Sequence, residues 1–322
     1  MPPSILKNIS PAFLSMFVTV LSFAQLPPEL LTPELVSINR MPMRANAFAF
    51  ENMQMAKGFD KERSANYFSL NGSWKFHWVQ DPDQRPRNFF ETSFDDSRWT
   101  DFRIPASWEV NGYGLPIYVN QPYDFAGHNL RYGKMDPPND ISVHNNPVGS
   151  YRKKIILPAG FKGKQVFLHV GNAKSCLFVW VNGKKVGYSE DSKLAAEFDI
   201  TDHVQDGENL IAFQVYRWSD ASYLECQDMF RFSGIERDVY LFATHKLNIR
   251  DIKIDATLND SYKDGILKVE TEINNYKWDR GNLSKKDSFT VEMQLVDANG
   301  KLIHEDRTKD FHTVLGKYRT YV

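Results

Sequence analysis

Apolar and polar residues alternate with a period of two through most of this chain, which is the signature of half-buried β-strands rather than helices. In "YFSLNGSWKFHWV" (67–79) the alternation runs around an Asn-Gly pair, a strand-and-turn signal. "FDDSRWTDFRIPASWEVNGYG" follows with no helical period and reads as a loop leading into a strand. Residues 150–185 carry the clearest pattern. "SYRKKIILP" and "KQVFLHVGN" are β-rich runs, and "SCLFVWVNGKKVGYSED" is a run, an Asn-Gly turn and a second run. Asn182-Gly183 is a strong hairpin signal, because both central residues of a type I′ turn take positive φ. "AEFDIT", "NLIAFQVYRW" and "RDVYLFAT" continue the series. Short strands with turns every 8–12 residues or so predict an all-β sandwich or barrel. Between residues 68 and 245 the only helical hint is a short turn near Asp202–Val204.

After Thr244 the pattern restarts. "LNIRDIKIDATL", "GILKVETEINNY" and "SFTVEMQLVDANGKLIHEDRT" alternate again, the last around Asn299-Gly300. This predicts a second β-sandwich over 246–322. An immunoglobulin-like sandwich takes roughly 100 residues, so this one is expected to be incomplete, with residue 322 a truncation point and "KYRTYV" an open sheet edge. Residues 25–66, rich in proline, methionine and asparagine, read as an extended arm crossing a surface. Residues 1–24 read as a secretory signal peptide. Lys7 precedes the apolar run "AFLSMFVTVLSFA", too short to span a bilayer comfortably, and Ser22 and Ala24 set up cleavage before Gln25. The expected location is periplasmic or secreted.

Composition sharpens the picture in three places. With 42% hydrophobic and 25% charged residues in 322, the chain can bury real cores and is not globally disordered. A net charge of −1 with no long basic run favours neither a nucleic acid nor an anionic membrane as partner. Cys176 and Cys226 are the only cysteines, with no CxxC or Cys/His cluster, which argues against zinc. Cys176 sits in an apolar run and reads as a core residue, and the sequence leaves open a pairing of the two.

The motifs "LNGSWKF" (70–76), "PASWEVNGYGLPIYVNQPY" (105–123), "NPVGSYRKKI" (146–155), "VWVNGKKVGYSEDS" (179–192), "AEFDIT" (196–201) and "NLIAFQVYRWSDASYLECQDMFRFSGIERDVYL" (209–241) occur in order. Together they resemble the N-terminal part of glycoside hydrolase family 2 β-galactosidases. The resemblance runs from about Arg63 to the end and is strongest between Pro105 and Leu241. It implies a jelly-roll sugar-binding domain over 67–245, then an immunoglobulin-like sandwich, with a catalytic (β/α)₈ barrel to follow outside this chain. "SGIERDVYL" is similar to an element shared with family 2 β-glucuronidases and β-mannosidases, while "RWSDASYLECQDMFR" resembles the β-galactosidase version.

Retaining glycoside hydrolysis needs two carboxyl groups about 5–5.5 Å apart across the scissile bond. The resemblance places both, and a magnesium site, on the barrel, so no residue of 1–322 is assigned as catalytic and the chain is expected to be inactive alone. What it implies here is binding. Asp220 of "RWSD" contacts a galactosyl hydroxyl and helps to ligate sodium, only together with the barrel, and Asn120 contacts the sugar ring. A β-galactoside is the implied substrate, and a homo-oligomer the implied full-length assembly. Without the resemblance, an Asp after Trp-Ser is more often a turn former. Glu225 and Asp228 are expected to brace their loop by pairing with Arg217, Arg231 and Arg237 rather than to react. Trp74, Trp78, Trp99, Trp108 and Trp180 read as packing residues, and Trp218 is the one tryptophan considered near a ligand. His128 and His144 read as solvated, and Ser189–Asp191 as an exposed turn. An autonomous carbohydrate-binding module and an interaction module complementing a separate barrel chain remain the alternatives.

Overall fold

The computed structural model describes residues 26–119, 123, 125, 141, 144–276, 288–307, 311–312 and 316–321. The predicted signal peptide, Asn120 and His128 lie outside them. The described residues are mostly β, as the alternation predicts, with a few short helical turns.

Two antiparallel sheets make the first sandwich. The larger runs in the order Ser37–Ile38, Lys184–Ser189, Cys176–Val181, Glu208–Tyr216, Val148–Ile156, Gly72–Val79, Thr100–Ile104. The smaller runs Ala196–Asp199, Gln165–Val170, Val239–Thr244, Tyr67–Ser69. Asn182 and Gly183 both take positive φ, 49° and 82°, so the hairpin turn forms as its sequence demands. The Asn71-Gly72 turn works differently. It carries the chain from the small sheet into the large one, because Tyr67–Ser69 pairs with Val239–Thr244 while Gly72–Val79 pairs with Val148–Ile156.

Period two sorts side chains between two apolar layers rather than between core and water. In Cys176–Val181 every residue is buried. Leu177, Val179 and Val181 point into the core between the sheets, with Trp74, Phe213 and Leu241. Cys176, Phe178 and Trp180 point out, into a second apolar layer closed by Leu26 and Leu30 of the arm and by Phe89. Burying both faces is the reason these strands read as nearly continuous apolar runs. Gly149 is a packing requirement: a Cβ there would lie 2.4 Å from the Trp108 ring, which is fully buried against the strand.

The arm is more structured than its composition predicts. Ser37–Ile38 adds a strand to the edge of the large sheet, and Met53–Gly58 is a short helix whose N-cap Asn52 accepts from the Met55 amide. Beyond Thr244, Leu247–Leu258, Gly265–Asn275 and Gly316–Tyr321 form an antiparallel three-stranded sheet, and Glu292–Val296 pairs with Leu302–Arg307. In the turn of that hairpin only Gly300 takes a positive φ, and Gly300 N–H donates to Asp297 O, so it is a longer turn than a two-residue Asn-Gly hairpin.

Glu197 ties these parts together. Its two carboxylate oxygens receive Arg44 of the arm at 2.8 Å each, His169 Nδ1 lies 3.1 Å away, and Arg250, in the strand after Thr244, donates at 3.3 Å. Arg250 also donates to Pro42 O at 2.6 Å. Burial by itself would raise the Glu197 carboxyl, but hydrogen bonds from His169 and Arg44 and the charge of Arg44 more than offset it, holding it at about 2. A carboxyl depressed in the fold contributes stability that is present above its unfolded value and lost as pH falls through the folded one. Chemical denaturation across pH is therefore expected to show a loss of about 3 kcal/mol between roughly pH 4.5 and 2 that is absent in Glu197→Gln. At neutral pH that variant is expected to be less stable by about 3–5 kcal/mol, since it leaves buried guanidinium charge uncompensated.

Candidate functional site

The loop that follows strand Glu208–Tyr216 is fixed residue by residue. Arg217 N–H donates to Pro147 O at 2.9 Å. Asn146 grips Trp218 from both sides: its Oδ1 accepts from Trp218 N–H at 2.9 Å and its Nδ2 donates to Trp218 O at 3.0 Å. Ser219 Oγ lies 2.6 Å from Ser175 Oγ, and Ser222 Oγ accepts from Ser219 N–H at 3.1 Å, at the start of the single helical turn Ser222–Glu225. Asp220 N–H donates to Leu30 O of the arm at 3.0 Å. Every backbone step around Asp220 is thus anchored to a different element.

The Asp220 side chain is the exception. The residue is 6% exposed, and neither carboxylate oxygen accepts a hydrogen bond from a donor among the described residues. Buried polar atoms almost always find a partner, so an orphaned carboxylate is a place where the fold gives up stability. Its close neighbour is Glu190, 5% exposed, whose Oε1 accepts from Tyr188 Oη at 2.5 Å. Burial, together with the facing Asp220 carboxyl, pushes Glu190 up to about 8. Burial likewise raises Asp220. Two carboxylates this close cannot both ionise readily. A proton kept on Glu190 is a side-chain donor that this wall offers to Asp220.

Glu190 corrects the sequence-based expectation that Ser189–Asp191 form an exposed turn. Ser189 and Glu190 are buried, and only Asp191 is partly exposed, with φ at 84°. The arm covers them: Glu190 N–H donates to Val36 O at 3.0 Å, and Arg40 donates to Ser189 Oγ and Glu190 O.

The brace of the loop also differs from the expected ion pairs. Glu225 accepts from Ser192 N–H at 2.6 Å and from Ser192 Oγ, and Asp228 accepts from Tyr118 Oη at 2.6 Å. Hydroxyls and amides serve here because the arginines are committed elsewhere. Arg217 faces Glu109 at 3.6 Å and donates to Arg231 O at 2.8 Å; Arg231 donates to Gln227 O, and Arg237 to Lys193 O. The Tyr118–Val119 strand pairs with Met229–Phe230, which joins the segment just before Asn120 to this loop. Trp74, Trp108, Trp180 and Trp218 are buried packing residues, Trp218 beneath the Arg217 guanidinium at 5.0 Å. Trp78 and Trp99 are partly buried, and His144 is exposed. Cys176 and Cys226 are both buried and unbonded to each other. Burial raises the Cys176 thiol well above its ordinary value, which fits a core residue.

The geometry excludes one chemistry. Carboxyls in direct contact are too close to flank a glycosidic bond, where retention needs about 5–5.5 Å between them. As a pair, Glu190 and Asp220 lack the separation of a retaining acid and nucleophile.

The class of protein this sandwich belongs to is defined by a family model described as "Glycosyl hydrolases family 2, sugar binding domain", which matches residues 67–245. The chain belongs to glycosyl hydrolase family 2, and corresponds to the N-terminal region of its β-galactosidases. It is 39% identical over 270 residues to a β-galactosidase of Priestia megaterium, covering 84% of this chain and 25% of that protein. A β-galactosidase of Halalkalibacterium halodurans is 36% identical over 83% of this chain and 25% of its own length. A β-galactosidase large subunit of Lactobacillus helveticus is 35% identical over 74% and 38%. The chain thus spans about a quarter to two-fifths of the length of these curated relatives. Among solved structures, a Bacteroides uniformis β-glucuronidase superposes with a TM-score of 0.56 at 22% identity, over 80% of this chain and 27% of that one. At that identity the likeness speaks for the fold alone.

An orphaned buried carboxylate predicts its own mutant phenotype. Asp220→Asn keeps the shape, removes the charge and supplies an amide that donates to Glu190. Urea unfolding of the variant at neutral pH is expected to show a gain of about 1 kcal/mol or more. A loss of stability would show that the carboxylate is satisfied in solution.

Proposed function

We propose that this chain forms one wall of a β-galactoside pocket, as the N-terminal, jelly-roll sugar-binding part of a family 2 β-galactosidase. The observation that carries the reading is the Asp220 carboxylate, buried at an anchored loop with no side-chain donor among the described residues beyond the proton of the facing Glu190. A neutral sugar is recognised by directional hydrogen bonds, and a carboxylate accepts strongly from a hydroxyl. Asp220 takes a galactosyl hydroxyl, and Asn120, outside the described residues, is the second contact. Glu190 holds Asp220 in place from behind, and the anchored Ser219–Ser222 turn fixes its height.

The two reacting carboxyls are contributed from outside these residues, so the chain alone binds and does not cleave. Sodium fits the donor chemistry of Asp220, whose free hard oxygens suit a hard cation. When bound it would add a point of attachment for sugar oxygens. The further sodium donors, and any magnesium site, are expected on the barrel. The full enzyme is expected to be a homo-oligomer exported by the signal peptide, with Gln25 as its first mature residue.

The test is turnover of a chromogenic β-galactoside. The chain alone is expected to give none, and the chain joined to or mixed with a family 2 barrel is expected to give activity that Asp220→Ala lowers by about a hundredfold or more, as for the loss of a charged contact to a bound hydroxyl. Turnover by the isolated chain, abolished by Asp220→Ala, would overturn the division of labour.

A further inference from the structure

Four Asn-Gly pairs stand in the sequence, at 71–72, 111–112, 182–183 and 299–300. In each, the side-chain amide carbon of the asparagine is an electrophile set one residue before a backbone nitrogen. Glycine has no Cβ, so no side chain shields that nitrogen. Attack of the nitrogen on the amide carbon is intramolecular. Its rate is therefore set by whether the side chain and the following amide are free to come together. The fold treats the four pairs differently, and three of them are locked. Asn71 Nδ2 donates to Asp238 Oδ1 at 2.9 Å, and its Oδ1 accepts from Val239 N–H at 2.9 Å. Asn182 Nδ2 donates to His203 O at 2.9 Å and to Asn209 Oδ1 at 2.8 Å, while its Oδ1 accepts from Leu210 N–H at 2.9 Å. Asn111 is exposed, but its Nδ2 donates to Ser107 O at 2.8 Å. In each of the three, the group that would have to turn is already held.

Asn299 is the exception. Asn299 and Gly300 are both exposed, in the turn between Glu292–Val296 and Leu302–Arg307, and the Asn299 side chain makes no hydrogen bond among the described residues. The turn is organised by Asp297 instead. Its Oδ1 accepts from Asn299 N–H and from Lys301 N–H at 2.9 Å each, and its carbonyl accepts from Gly300 N–H at 2.9 Å. The last of these occupies the attacking nitrogen, but it is one bond at an exposed tip, and such contacts open at little cost. Packing does not hold the tip shut either, since Leu295, Val296, Leu302 and Ile303 beside it are each more than a third exposed.

We propose that Asn299 is a self-modification site, the position at which the folded chain converts a side-chain amide into an acid. Gly300 N bonds to Asn299 Cγ, the Cγ–Nδ2 bond breaks, and ammonia leaves with the glycine proton, which closes a cyclic imide. Water then opens the ring. Opening at Cγ gives aspartate. Opening at the main-chain carbonyl gives isoaspartate, with the chain rerouted through the former side chain. In sum, amide and water give acid and ammonia, and the step needs no oxidant. Either product sets a second carboxylate two residues from Asp297, where like charges repel. Isoaspartate also lengthens the main chain of a turn whose amides are matched to Asp297, so the modified hairpin loosens. The inference does not rest on the reading of Asp220.

Peptide mapping by mass spectrometry of the full chain, aged in mildly alkaline buffer, tests it, with enzymatic methylation of isoaspartate to separate the two acids. Asn299 is expected to convert first and faster as pH rises, with both acids formed, while Asn71, Asn111 and Asn182 keep their amides. In strong urea the four pairs are expected to convert at similar rates, which assigns the selectivity to the fold. Asn299→Gln is expected to abolish the early conversion and to leave the unfolding midpoint level, because the replaced side chain holds nothing. Three results would overturn the site: an Asn299 amide that persists in the folded chain, another pair converting ahead of it, or the same order of conversion in urea as in the fold.

Discussion

Two carboxyl groups, Glu190 and Asp220, are buried against each other at one end of a β-sandwich, and the surrounding structure is arranged to hold them there. Like charges in contact away from water repel strongly. The pair persists because one proton stays on it: burial and the Asp220 carboxyl push Glu190 up to about 8. Tyr188 donates to Glu190 just past the end of its strand, Val36 of the arm accepts the Glu190 amide, and the Ser219–Ser222 turn anchors Asp220. The cost of the arrangement falls on Asp220, whose oxygens are buried with no side-chain donor among the described residues beyond the Glu190 proton. That cost at one well-anchored loop is what motivates the proposal that Asp220 takes a ligand hydroxyl.

The sandwich makes this affordable by burying both faces of its large sheet. One set of alternate side chains fills the space between the sheets; the other set is sealed by Leu26, Leu30 and Phe89. Leu30 connects the two levels, since it is buried in that outer layer and its carbonyl receives the Asp220 amide. The arm is therefore a structural wall of the site. Glu197 performs the corresponding service on the other side, joining Arg44 of the arm to Arg250 beyond Thr244.

Strands and turns were legible because they depend on local patterns. Alternation placed Gln165–Val170, Cys176–Val181 and Glu208–Tyr216, and Asn182-Gly183 placed its hairpin. Partnership was less legible. Asn71-Gly72 has the letters of a hairpin turn and yet passes between sheets, because pairing is decided by residues far along the chain. The arm looked extended because its capping and edge-strand contacts come from elsewhere in the fold. In the site, Asp220 was visible through its motif, whereas Glu190 was not: "SED" after a hairpin reads as polar surface, and only the arm laid across it makes it buried. The carboxylates of the loop do brace it, but through Ser192 and Tyr118 rather than through the expected ion pairs, while Arg217 faces Glu109 and donates to a backbone carbonyl.

Carbon-13 NMR of the side-chain carboxyls of Glu190 and Asp220, followed across pH in the full chain, tests the central claim most directly. The account predicts that Glu190 is still protonated at neutral pH, that it titrates near 8, and that Asp220→Asn lowers that value by removing the facing charge. Two carboxylates that both ionise near their ordinary values, with no effect of one on the other, would contradict it.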